Sequence, residues 1–247
     1  MKKSTLTFAA LFFVTLSALA QTKTVAVAAF EKVIVSPHIE VVLIEGTEES
    51  VTIENAKLSL DKINVEVEGR TLRLYLDGAK TVTKSERVST DQWKGKKSTY
   101  DGTMARATIT YKTLKNLSIR GEEIVKCKSA LDQDELKLTI YGESKVYFES
   151  LNLEELTVAI YGESYLEITE GDVRRQVYRA YGESEVNTTA MDNEETKITA
   201  YGESNFRVNV SDRLKVTCYG ETKINYSGDA DVDKGIVIGE AQIRKIG

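Results

Sequence analysis

Tyrosine and glutamate recur along this chain inside a four-residue unit, Tyr-Gly-Glu-Ser. The unit occupies residues 141–144, 161–164, 181–184 and 201–204, and residues 219–222 (Tyr-Gly-Glu-Thr) form a fifth copy. A row of carboxylates can hold calcium, which takes several carboxylate and carbonyl oxygens. A row of exposed aromatic rings can hold a sugar or a protein, because such rows are uncommon on monomers. The candidate binding residues are Tyr141, Tyr161, Tyr181, Tyr201, Tyr219, Glu143, Glu163, Glu183, Glu203 and Glu221.

Each row also has a purely structural interpretation. Stacked tyrosines pin the register of neighbouring strands, and cross-strand aromatic pairs contribute roughly 0.2–1 kcal/mol each. Like charges opposite one another destabilise a sheet. The glutamates are therefore expected to splay into water, to pair with Lys145 or Lys223, or to bind cations. We favour the stacking ladder and the solvated carboxylates, and we expect no cofactor, with calcium as the alternative.

The spacing of the glycines predicts the elements that carry these rows. Gly121, Gly142, Gly162, Gly182, Gly202 and Gly220 lie 21, 20, 20, 20 and 18 residues apart, with Arg120-Gly121-Glu122-Glu123 as a degenerate first copy. A fixed period near 20 is typical of stacked supersecondary units. Apolar residues alternate with polar ones on both sides of each glycine, which indicates two half-buried strands around a sharp corner.

Stacked coils of this kind build one continuous core, with equivalent residues about 4.8 Å apart. We therefore predict an all-β solenoid of about six coils, with inward columns such as Ile140, Ile160, Ala180, Ala200 and Cys218. The third coil is the weakest, because Gln176 takes an inward position unless a one-residue slip brings Val177 inward.

The segments before and after the coils are expected to cap and close this solenoid. Residues 21–112 are predicted to form a β-rich N-terminal cap, with a hairpin turn at 68–71 and a polar loop at 77–104 that contains Trp93. Residues 113–228 are the coils, and residues 229–247 are closing strands. Cys127 and Cys218 fall on inward positions roughly 24 Å apart, so we expect two buried free thiols.

The first 20 residues predict a secretory signal. Lys2 and Lys3 precede an apolar run from Leu6 to Leu19, and Ala18-Leu19-Ala20 fits a small-x-small cleavage site. Loss of the two lysines changes the formal net charge from −5 to −7. An acidic chain without a basic cluster does not favour nucleic acid. We expect an exported protein of the periplasm, outer-membrane surface or extracellular space, without a transmembrane segment after cleavage.

No residue pattern predicts catalysis. His38 is the only histidine, so it can form neither a multi-histidine metal site nor an assignable triad, and its place beside Pro37 predicts a surface turn. Asp229, Asp231, Asp233 and Glu240 have the spacing of a calcium loop. However, Lys234 stands where that loop needs glycine, which favours a polar turn.

The chain resembles the head GIN domain family, described as auto-transporter adhesins and common in exported Bacteroidetes proteins. The resemblance rests on the Phe30–Val35 start, the Val51-Thr52-Ile53 segment, the Gly69–Leu72 turn, the small-Gly-small turns and the Tyr226-Ser227-Gly228 close. It covers essentially the mature chain and implies a right-handed β-helix-like fold. Ser-Gly-Ser-like turns are usual in that family, so the Tyr and Glu columns are a departure.

The function that this implies is a non-catalytic, adhesin-like interaction module of the bacterial envelope. Two alternatives stay open: a glycan-binding or carbohydrate-active β-helix protein, and a purely structural envelope protein. The partner is expected to be a protein or a glycan on a cell surface.

Overall fold

The structure is a computed structural model that describes residues 22–89 and 94–246. Strands dominate these residues, together with a single turn of 3₁₀ helix at Leu60–Lys62. The N-terminal strands are β1 (Lys23–Ala26), β2 (Lys32–Val35), β3 (Ile39–Glu45), β4 (Ser50–Ala56), β5 (Ile63–Glu68), β6 (Thr71–Leu76), β7 (Ser85–Ser89), β8 (Lys94–Ser98) and β9 (Ala105–Tyr111).

The repeats supply the remaining strands. They are β10 (Asn116–Gly121), β11 (Ile124–Cys127), β12 (Leu131–Gly142), β13 (Lys145–Phe148), β14 (Leu151–Gly162), β15 (Tyr165–Ile168), β16 (Gly171–Tyr181), β17 (Ser184–Thr188), β18 (Asp192–Asn209), β19 (Arg213–Ser227) and β20 (Asp231–Lys245). Each strand pairs in parallel with the equivalent strand of the next repeat. The predicted all-β solenoid of about six coils is thereby confirmed.

Equivalent residues of successive coils stack in register. The pairing aligns the predicted inward column, and all of its members are buried: Ile140, Ile160, Ala180, Ala200 and Cys218. Parallel strands joined this way bury one face along the whole stack, which no single coil can do alone. The core therefore runs lengthwise through the solenoid and leaves the corner residues outside.

Glycine makes the corner that carries the Tyr-Gly-Glu-Ser unit. Gly162 has a φ of +122°, and a Cβ there would lie 2.3 Å from the carbonyl oxygen of Gly142. Side-chain-bearing residues rarely adopt such a backbone conformation, and no carbon atom fits at that distance from a neighbouring oxygen. The glycine column therefore lets one coil lie directly on the next at the corner.

The N-terminal region does more than the predicted cap. Strands β2 and β3 pair in parallel with β10 and β11, and β6 and β9 pair in parallel with β2 and β3. These four strands add two levels to the stack. Along the stack, the level of β6 and β9 comes first, the level of β2 and β3 second, and the level of β10 and β11 third, so the order in space differs from the order in the sequence. In the main sheet of the described residues, the antiparallel pairings involve β1, β4 and β5, which cover the end of the core. The hairpin predicted at residues 68–71 joins β5 to β6.

The insertion at 77–104 is only partly the polar loop that the sequence predicted. Strands β7 and β8 form a separate two-stranded antiparallel sheet within it. Its side chains are mostly charged or polar, so the alternation of apolar residues that marks a buried strand is absent. Trp93 lies outside the described residues, as does the predicted signal segment.

A buried amide without a full set of hydrogen bonds interrupts the apolar core in the third coil. Gln176 pairs with Leu156 and is fully buried, so the register does not slip. The Tyr178 hydroxyl donates a hydrogen bond of 2.6 Å to Gln176 Oε1, while Gln176 Nε2 has no partner. Cys127 and Cys218 are buried free thiols, as predicted. Burial raises the pKa of the Cys127 thiol, which keeps it protonated and unreactive.

Candidate functional site

The five tyrosines of the Tyr-Gly-Glu-Ser/Thr units form a continuous stack along one corner of the solenoid. Ring centroids of successive tyrosines lie 4.8–5.0 Å apart, and their planes differ by 1–10°. Tyr141, Tyr161 and Tyr201 keep 38–40% of their surface exposed. We call Tyr141, Tyr161, Tyr181, Tyr201 and Tyr219 the Tyr column. The stacking ladder predicted from the sequence is present.

Stacking limits what the Tyr column can bind. Each inner ring has both faces covered by its neighbours, so the exposed part of the column consists of ring edges. The guanidinium of Arg120 lies 5.2 Å from the ring centroid of Tyr141 and covers the first ring of the stack. A sugar packs against the face of an aromatic ring rather than its edge. The geometry therefore favours edge contacts with a protein over stacking with a glycan.

The glutamates form a second column beside the first, and it is longer than the sequence predicted. The strand register places Glu122 before the five predicted residues and Glu240 after them. All seven side chains are exposed, and no ion pair among the described residues includes any of them. We call this set the Glu column: Glu122, Glu143, Glu163, Glu183, Glu203, Glu221 and Glu240.

The two additional glutamates were visible in the sequence. Both follow a glycine, at 121–122 and 239–240, and Gly239 lies 19 residues after Gly220. The calcium-loop spacing had grouped Glu240 with three aspartates instead. The structure separates them, since Asp229 pairs with Lys245 and Asp233 with Arg213 and Lys215. Asp229 lies in the connection before strand β20, whereas Asp231, Asp233 and Glu240 lie within the strand, so the predicted polar turn extends only over its start.

Serine completes the unit with a structural role. Ser144 and Ser164 are buried, and their hydroxyls donate hydrogen bonds of 2.9 and 3.0 Å to the carbonyl oxygens of Gly121 and Gly142. Ser184 and Ser204 repeat this contact at 3.4 Å. In each unit the tyrosine ring stacks on its neighbours and the glycine forms the corner. The serine hydroxyl donates a hydrogen bond to the preceding coil. Within the described residues, the glutamate side chains of the five Tyr-Gly-Glu-Ser/Thr units form no ion pair and no hydrogen bond, and in the Glu column only Glu240 accepts one, from Gln242.

A shallow groove of about 330 Å³ runs beside the Glu column. Glutamates of four successive coils line it together with the buried serines and with Lys145, Tyr165, Glu185 and Asn205. Lys145 is the one cation among these residues, and no ion pair of the described chain includes it. The groove therefore presents a strongly negative surface, which attracts cations and repels anions.

Three or more metal-ligating side chains do not converge anywhere within residues 22–89 and 94–246. The carboxylates of the Glu column follow one another along a line, one per coil, rather than around a point. Calcium takes six to eight oxygens, which a line of single carboxylates does not supply. The column is thus suited to an extended cationic partner more than to a single ion.

His38 lies in the turn that its neighbour Pro37 predicted, but its side chain is partly covered rather than exposed. It is half-buried at the corner of the β2–β3 level, with a φ of +72°. Nδ1 lies 2.8 Å from the Gly102 carbonyl oxygen, and Nε2 lies 2.7 Å from Thr83 Oγ1. Because a carbonyl oxygen only accepts, Nδ1 carries a proton. The insertion folds back onto this corner, a contact that sequence spacing does not reveal.

A cavity of about 470 Å³ opens beside His38, between this corner, the insertion and the first ring of the Tyr column. Pro37, Val82, Arg120 and Tyr141 contribute to its wall, and the buried Glu123 lies 3.8 Å from His38 Nδ1. The Arg120 Nε is buried without a hydrogen-bond partner. This cavity adjoins the start of the Tyr column, and the sequence pattern did not predict it.

Comparison with known proteins gives the family and the fold. A family model described as "Putative auto-transporter adhesin, head GIN domain" matches residues 29–230. No curated protein matches the chain. Among solved structures, a "putative adhesin" from Bacteroides fragilis is 20% identical over 92% of this chain and 96% of its own, with a TM-score of 0.77.

Two Parabacteroides structures are also similar. One from Parabacteroides distasonis, named "Putative lipid binding protein", is 16% identical with a TM-score of 0.65. A "putative adhesin" from Parabacteroides merdae is 17% identical with a TM-score of 0.64. Both alignments cover 94% of this chain and 98% of the other. At these identities the likeness establishes the fold. Within the described residues, no helix is long and apolar enough to cross a membrane.

Proposed function

Because this chain belongs to the family described as "Putative auto-transporter adhesin, head GIN domain", we propose that it is an exported, non-catalytic interaction module of the bacterial envelope. Its binding face comprises the Tyr column and the Glu column. The partner is a protein with an extended lysine- or arginine-rich surface.

The Glu column carries this proposal. The other three residues of the Tyr-Gly-Glu-Ser unit each contribute to folding, through ring stacking, the corner conformation and the hydrogen bond to the preceding coil. Glutamate contributes repulsion instead, because like charges one strand spacing apart destabilise a sheet. Retention of a destabilising residue in seven successive levels is typical of a functional site, where local rules are broken for binding.

An extended cationic partner fits this face on two counts. The carboxylates repeat every strand spacing along a groove, so one partner segment can neutralise several of them at once. Simultaneous contacts of this kind raise affinity well above that of any single pair. The exposed tyrosine edges beside the groove supply apolar contact area, and tyrosine is enriched at protein interfaces.

The two alternatives, a glycan-binding protein and a purely structural envelope protein, have different structural requirements. A glycan-binding face needs free aromatic faces, and those of Tyr161, Tyr181 and Tyr201 are covered by their neighbours. A purely structural envelope protein needs no unpaired carboxylates. Export is supported by the adhesin family and by the N-terminal apolar segment of the sequence.

The test measures binding of a fluorescent decalysine peptide by anisotropy. The wild-type protein is compared with the triple variant Glu163→Gln, Glu183→Gln, Glu203→Gln. Removal of three adjacent charges from the middle of the face is expected to weaken binding about tenfold or more, which corresponds to about 1.4 kcal/mol. Higher salt is expected to weaken wild-type binding and to reduce the difference between the proteins, because exposed charges are screened.

The matched control is Glu149→Gln, Glu170→Gln, Asp212→Asn, which removes three exposed charges away from the Glu column. This control is expected to bind decalysine nearly as well as wild type. Equal losses in both triple variants would show that net charge alone attracts the peptide, and the proposed face would then be rejected. Binding of a neutral oligosaccharide that depends on the tyrosines would favour the glycan alternative.

A further inference from the structure

The last strand of the solenoid has an open edge. Strand β20 is 15 residues long, and within the described residues only β19 pairs with it. The opposite end of the stack is closed differently, by the antiparallel strands β5 and β1, which are six and four residues long. Short outer strands are a common protection against unwanted pairing, whereas a long open edge is a template for another strand.

The core is also uncovered at this end. Val237 continues the inward column after Cys218, yet Val237 is 39% exposed and Cys218 is fully buried. Ile236 and Ile238 on either side are 59% and 62% exposed. Every other level of the repeats has its inward residues covered by the next coil. The exposed apolar residues lie at the middle of β20, where an added strand would cover them.

The distribution of charges along β20 indicates which strand pairs with it and in which direction that strand runs. Asp231 and Asp233 lie in the first part of the strand, followed by Lys234, whereas Glu240 precedes Arg244 and Lys245 in its second part. Two parallel copies of β20 would place acidic groups against acidic groups and basic against basic. Two antiparallel copies place the acidic part of each against the basic part of the other, which stabilises cross-strand pairs.

We infer that two copies of this chain associate tail to tail, with β20 of one copy pairing antiparallel to β20 of the other. A two-fold axis near the middle of the strand generates this arrangement, and the same surface of each copy forms the contact. The Ile236–Ile238 segments then meet near the axis and cover one another. The main-chain groups of the free edge gain hydrogen-bond partners as they do between all the coils.

Strand β20 contains both a corner and a bulge. Gly239 has a φ of +110° and continues the column of corner glycines, so β20 bends there into two limbs, residues 231–238 and 240–245. The two-fold axis near Val237 lies two residues before this corner, so it brings Asp231 of one copy close to Arg244 of the other and Lys234 close to Glu240. A bulge opposite Val216 and Cys218 interrupts the register near Gly235, so the regular contact centres on the residues after it.

Four charged residues of β20 take part in no ion pair among the described residues: Asp231, Lys234, Glu240 and Arg244. Asp233 pairs with Arg213 and Lys215 of its own chain, and Lys245 pairs with Asp229. Because Asp231 and Arg244 come close to one another across the axis, they are positions at which a change of charge reports on strand direction.

The experiment is sedimentation equilibrium of the purified exported protein between about 1 and 200 µM, where contacts of about −8 kcal/mol become visible. Wild type is expected to form dimers and no larger species. The variant Ile236→Lys, Ile238→Lys is expected to be monomeric throughout this range. Val82→Lys, which changes a more exposed apolar residue (74%) on the insertion, is the control and is expected to dimerise as wild type does. Thermal melts confirm that each variant is folded.

The strand direction is tested by exchanging charges. Arg244→Asp alone is expected to weaken dimerisation about tenfold or more, and adding Asp231→Arg is expected to restore it. A wild-type protein that stays monomeric at 200 µM would overturn the inference, as would a dimer that persists in the Ile236→Lys, Ile238→Lys variant. Failure of the second charge change to restore the dimer would exclude the antiparallel arrangement.

Discussion

Replacement of Gly162 by asparagine is expected to destabilise the protein by about 3 kcal/mol or more, because strained backbone conformations cost 1–3 kcal/mol each before any clash is counted. The backbone at Gly162 has a φ of +122°, and an added Cβ would lie 2.3 Å from the Gly142 carbonyl oxygen. The neighbouring coil would have to move away from the corner. A loss of this size lowers the melting temperature by about 6–12 °C in a chain of this length.

The control for this substitution is Gly69→Asn. Gly69 has a φ of +58°, which asparagine tolerates, and an added Cβ meets nothing within 4 Å. We expect a change of less than about 1 kcal/mol at this hairpin turn. Thermal and denaturant melts measure both effects. Equal melting temperatures for the two variants would mean that the coils do not approach one another as closely as the structure shows.

The double variant Tyr161→Ala, Tyr181→Ala is expected to lower stability by about 2–4 kcal/mol, since each aromatic contact is worth about 0.5–1.5 kcal/mol beyond the area that it buries. The two substitutions remove three of the four stacked contacts in the Tyr column. The melting temperature should fall by about 4–16 °C. No change would remove the basis for regarding the column as a structural ladder.

The control is Tyr161→Phe, Tyr181→Phe, which keeps the rings and deletes only the hydroxyls. Its melting temperature is expected to stay close to that of wild type. Affinity for decalysine, measured on the same protein, then separates the two roles of the column. A stable variant that binds weakly would assign the hydroxyls to the binding face.

The sequence predicted the repeats well because their signals are local. The period of the glycines and the alternation of apolar residues lie within about 20 residues, so they indicate both the corner and the inward column. The order of levels at the N-terminal end could not be predicted in this way. There β2 and β3 insert between β6–β9 and β10–β11 through parallel pairings far apart in sequence, for which the chain carries no periodic signal.

The sequence predicted only the part of the candidate site that lies in the repeated unit, because that signal is local. Ten of its residues follow from the repeated unit, and the two additional glutamates required the strand register of the divergent copies at 121–122 and 239–240. The position of His38 required a tertiary contact with Thr83 and Gly102 in the insertion. Such contacts have no spacing rule, so the sequence predicted the turn beside Pro37 but not the contact of His38 with the insertion.

The central claim is that a cationic partner binds along the Tyr and Glu columns. The most direct measurement maps backbone amide chemical shifts of isotope-labelled protein during titration with decalysine. We predict that the largest shifts occur in successive corners, at residues 141–144, 161–164, 181–184, 201–204 and 219–222, and that Glu163→Gln, Glu183→Gln, Glu203→Gln reduces them. Shifts spread over the other faces, or confined to the cavity beside His38, would contradict the claim.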